Sequence, residues 1–356
     1  MAMDFIKIKG YKSIKNIQLD LAPINIFIGA NGAGKSNFLT FFEFLSNLYQ
    51  RKLTQYVNLK GGANKLLFNG AKNTDEIRFE ISFDQEQNGY SVRIKNGGEN
   101  FVFQDEYLLY QGKKSWNIAN HATEAAIKTT DNFRAKHVIN YLNSYRKYHF
   151  HDTAKSSPFT QMAHTENDSY FLYSEGENIS AFLYHIHENH KKVYNRIVKT
   201  IQSIAPFFAD FYFNPNPNNY IRLQWISKFS DTIYGPNDLS DGTIRFIALT
   251  TLFLQPEPPS SIIIDEPELG LHPFAIAKLA GMIKSAAARD IQVILATQSS
   301  DLVNHFLPED IITVDLVNGE SQFNRLDSQE LERWLEDYGL GELWQRNILS
   351  SGQPNK

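Results

Sequence analysis

The chain of 356 residues contains no cysteine. That excludes disulfides, thiolate zinc sites and cysteine nucleophiles, and it accords with a reducing compartment, so the cytoplasm is the expected location. No apolar run approaches the roughly 20 residues a membrane span needs, so no membrane partner is expected. The opening Met1-Ala2-Met3-Asp4-Phe5 has no basic stretch leading into an apolar one, and no signal peptide is expected. An excess of positive charge is missing too. Formal net charge is −4, so contact with nucleic acid would have to use a local patch. No heptad run, internal repeat or low-complexity tract is found, which excludes a coiled-coil arm and a solenoid. Apolar residues are plentiful at 42%, enough for the core of one large α/β domain or two small ones.

The most informative stretch is Gly29-Ala30-Asn31-Gly32-Ala33-Gly34-Lys35-Ser36, which satisfies the pattern G-x-x-x-x-G-K-[ST] in full. Ile24-Asn25-Ile26-Phe27-Ile28 before it reads as a buried strand. The stretch from Asn37 to Leu45 reads as a helix with a broad apolar face. Phosphate cradling requires this strand–loop–helix order. Glycines let successive N–H groups converge on phosphate oxygens, and the helix N-terminus adds positive potential. Lys35 is placed to reach the β- and γ-phosphates, and the Ser36 hydroxyl to ligate Mg²⁺. The expected ligand is a nucleoside triphosphate, ATP with Mg²⁺, held by residues 29–36 and Asn37. A glycine-rich β–α turn without a ligand is the competing reading, and the flanks weigh against it.

Residues 5–28 read as strands around the turn Gly10-Tyr11-Lys12-Ser13. Residues 76–110 alternate with period two. Ile77, Phe79, Ile81 and Phe83 share a face, then come Tyr90, Val92 and Ile94, then Phe101 and Phe103. Asn88-Gly89 and Asn96-Gly97-Gly98 read as the turns between these runs, which predicts an antiparallel meander beside the phosphate-loop core. Residues 120–150 and 178–204 read as helical, 152–177 and 214–220 as loops, and 221–234 as strand. From Leu239 an α/β pattern follows: a helix over 241–254, a buried strand over 261–264, a helix over 273–288 and a strand over 292–297. A short helix starts at Ser328, read as its N-cap, with Leu331, Trp334 and Leu335 on one face.

Ser261-Ile262-Ile263-Ile264-Asp265-Glu266 is a hydrophobic strand ending in two carboxylates. Alone such a strand is common; beside a complete phosphate loop it gains meaning. The first acid is expected at the tip of the strand next to the phosphate-loop strand. Asp265 would hold the Mg²⁺ shell, and Glu266 would orient or deprotonate the attacking water. Shortly before it, Leu239-Ser240-Asp241-Gly242-Thr243 combines a hydroxyl, a glycine and a following helix, a second helix N-terminus for phosphate. By itself this reads as an ordinary capping turn.

In this order and spacing these elements, with Ala296-Thr297-Gln298-Ser299 closing the set, resemble the RecF/SMC branch of ABC-type ATPases. Residues 5–45 are similar to its first motif block and 239–298 to its second. More narrowly, the chain resembles bacterial RecF-like ATPases of the AAA-type core group. Tyr148-His149-Phe150-His151-Asp152-Thr153, Glu266-Pro267-Glu268-Leu269-Gly270-Leu271-His272-Pro273 and Leu340-Gly341-Glu342-Leu343-Trp344 carry that likeness. The resemblance implies an α/β P-loop NTPase fold: an ABC-type head with a mixed sheet, an antiparallel β-meander subdomain and a helical lobe. It implies one domain over 1–350, with one lobe over about 1–150 plus 260–350 and a helical, signature-bearing lobe over about 151–259. It further implies a homodimer that closes on ATP, each site completed in trans by Ser240 and Gly242 of the other copy. The loop at 267–273 would cross that interface. Gln298 stands where ABC ATPases usually carry a histidine; its amide still donates a hydrogen bond but cannot be charged. The resemblance implies slow ATP hydrolysis and a role in DNA repair or anti-phage defence, with a nuclease or other effector as partner. The missing coiled-coil arm departs from SMC proteins and suits a compact RecF-like head. No acidic cluster after Gln298 supports a fused nuclease.

Two other classes stay open. One is a nucleotide-gated scaffold that turns over little ATP and regulates a nuclease or toxin. The other is a P-loop kinase or GTPase; the Ser240 turn argues against a kinase, and no guanine-reading Asn/Thr-Lys-x-Asp is present. His149 and His151, alternating on an extended stretch beside Asp152, suit a metal pair, but spacing identifies no third ligand, and a loop lining the nucleotide or dimer interface is the expected role. His185, His187 and His190 read as a solvated face. Lys128, Arg134, Lys136, Arg146, Lys147 and Lys155, and Lys7, Lys9, Lys12 and Lys15, are candidate DNA-phosphate contacts or simply solvated faces. Lys12-Ser13 has a further option, contact with the nucleotide.

Overall fold

The computed structural model describes residues 2–119, 121–153 and 156–349; Lys155 of the basic run lies outside them. The chain forms two compact units. The first holds 1–147, 260–263 and 290–356, and the second holds 148–259 and 264–289. The placement of 264–289 corrects the expected first lobe, which took in the whole of 260–350. The helix Pro273–Ala287 packs on the helix Asp241–Leu254, so its apolar face belongs to the second unit's core.

The first unit contains an antiparallel sheet in the order Ile14–Asp20, Met3–Tyr11, Glu76–Phe83, Asn88–Asn96, Phe101–Tyr110, Lys113–Asn117. The expected meander is present, with Ile77, Phe79 and Ile81 directly opposite Ile94, Val92 and Tyr90. Its first turn is not at Asn88-Gly89. It falls at Asp84, Gln85 and Glu86, with φ of 61°, 55° and 62°, and the Asp4 carboxylate holds it by accepting from Glu86 N at 2.8 Å. Gly89 lies inside the strand, where a Cβ would come within 2.6 Å of Ile81 O. Asn96-Gly97-Gly98 does turn, with Gly97 N donating to Asn100 O. Between these strands Glu106 is fully buried. It accepts from Tyr90 Oη (2.7 Å), Ala126 N (2.8 Å) and Ile127 N (3.0 Å), and burial pushes its pKa up.

A second sheet runs Glu320–Arg325, Ile311–Val317, Ile24–Ile28, Gln292–Ala296, Ser261–Asp265, Tyr145–Tyr148. Ile24–Ile28 is buried along its whole length and lies parallel to both neighbours. The strand beside it is thus Gln292–Ala296, and the strand leading to Asp265 is one further out, which corrects the expected adjacency. The helix Lys35–Tyr49 buries Phe38, Phe41, Phe42 and Phe44. Phe38 meets Phe27 of the parallel sheet (4.5 Å between centroids), and Phe41 meets Phe79 of the antiparallel one (5.4 Å). One aromatic layer therefore fixes the loop's helix to both sheets.

Residues 120–150 hold a shorter helix than expected, Phe133–Asn143, started by Asn132, whose side chain accepts from Arg134 N. The short helix expected from Ser328 spans Ser328–Leu335, but its cap is Asp327, not Ser328. In the second unit 178–204 divides into Ile179–Asn189 and Lys191–Ile204, broken at His190 (φ −133°, ψ 54°). The stretch 221–234 is a hairpin of Trp225–Ser227 and Ser230–Tyr234, joined by Phe208–Phe211 into a small sheet. The helix Asp241–Leu254 is buried from Thr243 onward.

Candidate nucleotide site

Within the first unit the loop over 29–36 leaves the carboxyl end of Ile24–Ile28 and enters the helix Lys35–Tyr49. Open parallel sheets place ligands at this end of their strands. Gly34 has φ 115°, and a Cβ there would overlap Ser321 Oγ and approach Ser13 Oγ to 2.9 Å, so only glycine fits. Lys35 is buried, and its ammonium donates to Gly29 O (2.7 Å) and Ala30 O (3.1 Å), which holds the charge over the loop's own backbone. Asn31, Gly32 and Ser36 are exposed, and Asn37 is half-buried.

Two serines brace this loop from outside the motif. Ser321 Oγ lies 2.6 Å from Ala33 O and 2.7 Å from Ser13 Oγ, and Asn37 Nδ2 lies 2.8 Å from Ser13 Oγ. A carbonyl only accepts, so Ser321 gives its proton to Ala33. Ser13 then donates to Ser321 and accepts from Asn37. Sequence reasoning flagged Ser13 only beside Lys12 and missed Ser321, which no pattern around it marks. Lys12 itself is tied to Thr40 Oγ1 at 2.8 Å, and burial lowers its pKa. Gln298 follows Gln292–Ala296, the parallel neighbour of Ile24–Ile28, and Thr297 N donates to Phe27 O at 3.0 Å. Gln298 and the loop thus emerge at the same end of adjacent strands, and Gln298 is exposed. The expected tail motif forms the helix Leu340–Gln345. It docks on the helix Ser300–Val303 just after Gln298, through Gly341 N to Asn304 Oδ1 and Gln345 Nε2 to Ser300 Oγ.

Asp265, Glu266 and Ser240 belong to the second unit. Asp265 ends its strand with Oδ1 buried and reached by no hydrogen bond, and its carbonyl accepts from His151 Nε2 at 2.8 Å. A buried carboxylate oxygen without a proton donor is the donor chemistry a hard cation takes. Glu266 adopts φ 40°, a left-handed conformation that a glutamate holds only when its surroundings impose it. Ser240 caps Asp241–Leu254, its Oγ accepting from Thr243 N at 3.2 Å. Gly242 packs so closely on Gly270 O that a Cβ would overlap it. The Ser240 turn and the loop after Glu266 therefore touch directly.

The residue that joins this cluster is Arg245. Buried on the helix Asp241–Leu254, its guanidinium donates to Phe150 O (2.9 Å), to His151 O (3.0 Å) and to Leu269 O. Burial lowers its pKa, opposed by Asp241. Sequence reasoning passed over it, although a lone cation in the run Ile244 to Leu254, otherwise free of charge, was a signal. His149 and His151 stack at 4.2 Å, and the hydrogen bond from His151 to the Asp265 carbonyl gives that histidine a structural place beside Asp265. Among the described residues no group of three or more His, Cys, Asp or Glu could hold a metal.

Comparison with known proteins adds to this geometry. Residues 24–304 match the family AAA_21, described as "AAA domain, putative AbiEii toxin, Type IV TA system". The chain is 21% identical over 334 residues to an ATP/GTP phosphatase of Helicobacter pylori, covering 84% of this chain and 85% of that protein. A segment of 47 residues is 43% identical to the tungstate uptake system ATP-binding protein TupC of Campylobacter jejuni, 13% of this chain and 14% of that one. An Smc head bound to the C-winged helix domain of ScpA superposes with a TM-score of 0.63 at 16% identity, covering 94% of this chain and all of that one. The SMC head domain from Thermotoga maritima gives 0.52 at 15%, covering 92% of this chain and 100% of that one. At such identities these structures speak for the fold alone. Fold, loop and family agree: the chain belongs to the AAA_21 family of P-loop ATPases and has the fold of the SMC head domains.

Proposed function

We propose that the chain binds ATP with Mg²⁺ through residues 29–37 and hydrolyses it to ADP and phosphate. The observation that carries this is the complete, braced phosphate loop with Lys35 buried at its centre. The loop N–H groups and Lys35 Nζ bind the phosphates and neutralise charge on the γ-phosphoryl group. Ser36 Oγ and the free Asp265 Oδ1 would hold Mg²⁺, which when bound supplies further charge neutralisation. The Glu266 carboxylate takes a proton from the attacking water as its oxygen bonds to the γ-phosphorus and the bond to ADP breaks. Gln298 donates its amide N–H to a γ-phosphate oxygen. Completion of the site by Ser240 and Gly242 from a second copy would make turnover slow until closure.

Within this reading the chain works in the cytoplasm with a partner nuclease or effector, in DNA maintenance or defence. The ScpA-bound Smc head and the toxin description of the family support a partner. The toxin in that description also suits the second reading, a nucleotide-gated scaffold with little turnover that regulates a nuclease or toxin. Among the described residues no helix is long and apolar enough to cross a membrane. The deciding experiment is Glu266→Gln. In the hydrolytic reading the variant keeps ATP affinity, loses turnover at least 100-fold and elutes as a dimer with ATP. Unchanged turnover removes Glu266 from the chemistry, and a monomer with and without ATP removes the shared site.

A further inference from the structure

The second unit carries a groove of about 540 Å³ between the helices Lys191–Ile204 and Pro273–Ala287, with Leu254 beneath it. None of its lining residues belongs to the phosphate loop, the Ser240 turn or the Asp265–Glu266 end. Four cations line it: Lys192, Arg196 and Lys199 from one helix and Lys278 from the other; no Asp or Glu does. Among the described residues none of the four is in an ion pair. In a chain of net charge −4, four uncompensated cations around one groove are a local reversal of sign.

The geometry is that of a track. Lys192, Arg196 and Lys199 recur at i, i+4 and i+7, so their Cα atoms rise by about 6 Å and then about 4.5 Å along one helix face. Across from them Ala277 and Gly281 keep the opposite wall low, and a Cβ on Gly281 would meet nothing within 4 Å. The remaining polar lining is neutral: Asn195, Thr200, Ser203 and Ser285. Cations with hydroxyls and an amide, without acids, form the set that contacts nucleic-acid phosphates. No aromatic side chain lines the groove, so it lacks the stacking surface that single strands use and the buried aromatic anchors that protein partners use.

We propose that this groove binds the phosphate backbone of a nucleic-acid duplex without reading its sequence. The site stands independently of the ATPase reading, because it is complete without nucleotide. The test is fluorescence anisotropy of the full chain with a short blunt DNA duplex of arbitrary sequence, without ATP, across a salt series. Four phosphate contacts give a slope of log K against log salt of about −3 to −4. Replacing Lys192, Arg196, Lys199 and Lys278 together by Ala is expected to weaken binding at least tenfold at low salt and to flatten the slope. Each single exposed Lys→Gln change at 192, 199 or 278 lowers the slope by about 1, which keeps the test valid should the quadruple variant not fold. Lys128→Ala/Lys136→Ala, in the basic run of the other unit, leaves binding unchanged, and ATP binding persists in all variants. Absence of duplex binding at low salt, wild-type affinity in the quadruple and single variants, or stronger competition by poly-glutamate than by duplex would each overturn the assignment; the last would make the groove a seat for an acidic protein segment.

Discussion

Adding one methyl group to Gly34 tests whether the brace on the phosphate loop is a physical coupling. Gly34→Ala forces a side chain into φ 115°, at about 1–3 kcal/mol of strain. The new Cβ also displaces Ser321 Oγ, which gives up its contacts with Ala33 O and Ser13 Oγ, worth about 0.5–1.5 kcal/mol each. The expected loss is therefore about 2–6 kcal/mol in the first unit. Ser321→Gly alone loses the same two hydrogen bonds, about 1–3 kcal/mol, plus about 0.5–1 kcal/mol of chain entropy. In the double variant the overlap is gone and those hydrogen bonds are lost only once. It should be less destabilised than the sum of the singles by about 1–3 kcal/mol. Amide exchange over residues 29–45 reads this locally, and ATP affinity reads its consequence. Additive effects would refute the coupling, and wild-type ATP affinity in Gly34→Ala would refute the fit of the loop itself.

Arg245→Met should leave three carbonyls, of Phe150, His151 and Leu269, without their donor and destabilise the second unit by about 3 kcal/mol, measurable as a lower urea midpoint. Lys35→Ala should abolish ATP binding in calorimetry while leaving the circular dichroism spectrum unchanged, since Lys35 packs on its own loop. For Glu106 the sign follows from burial: its folded pKa lies above its unfolded one, so its contribution is most favourable below the unfolded pKa and declines as pH rises through the folded one. Glu106→Gln should therefore gain stability relative to wild type as pH increases from acid to neutral; a gap that stays constant with pH would contradict this.

The phosphate loop, its strand and its helix are fully legible in the sequence, because they depend on local chemistry over a few residues. Helix Asp241–Leu254 and strand Gln292–Ala296 are legible through long apolar runs between clear caps and turns. The hairpin at 84–86 was not, since three non-glycine residues adopt positive φ there under the hold of Asp4, a residue distant in sequence. Gly89, the apparent turn signal, answers instead to a neighbouring strand. Ser321 and Arg245 were missed for the same reason: their roles consist of contacts to backbone carbonyls supplied by distant segments. Asp265 ends its strand as expected, but that strand was set one place too close to Ile24–Ile28, as spacing along the chain carries no strand order.

The serine brace has a consequence for synthesis. Its two hydroxyls are 308 residues apart, and the parallel neighbours of Ile24–Ile28 begin at Gln292 and Ile311. At about 5–20 residues per second, a nascent chain waits roughly 15–60 s between emergence of the loop and arrival of Ser321. For most of that interval a strand that is apolar apart from Asn25 has neither partner, a state prone to association and to capture by chaperones. The eight residues of the phosphate-loop motif are thus among the first made and among the last to be set in place. A chain halted short of Ser321 carries the motif without the support that shapes it.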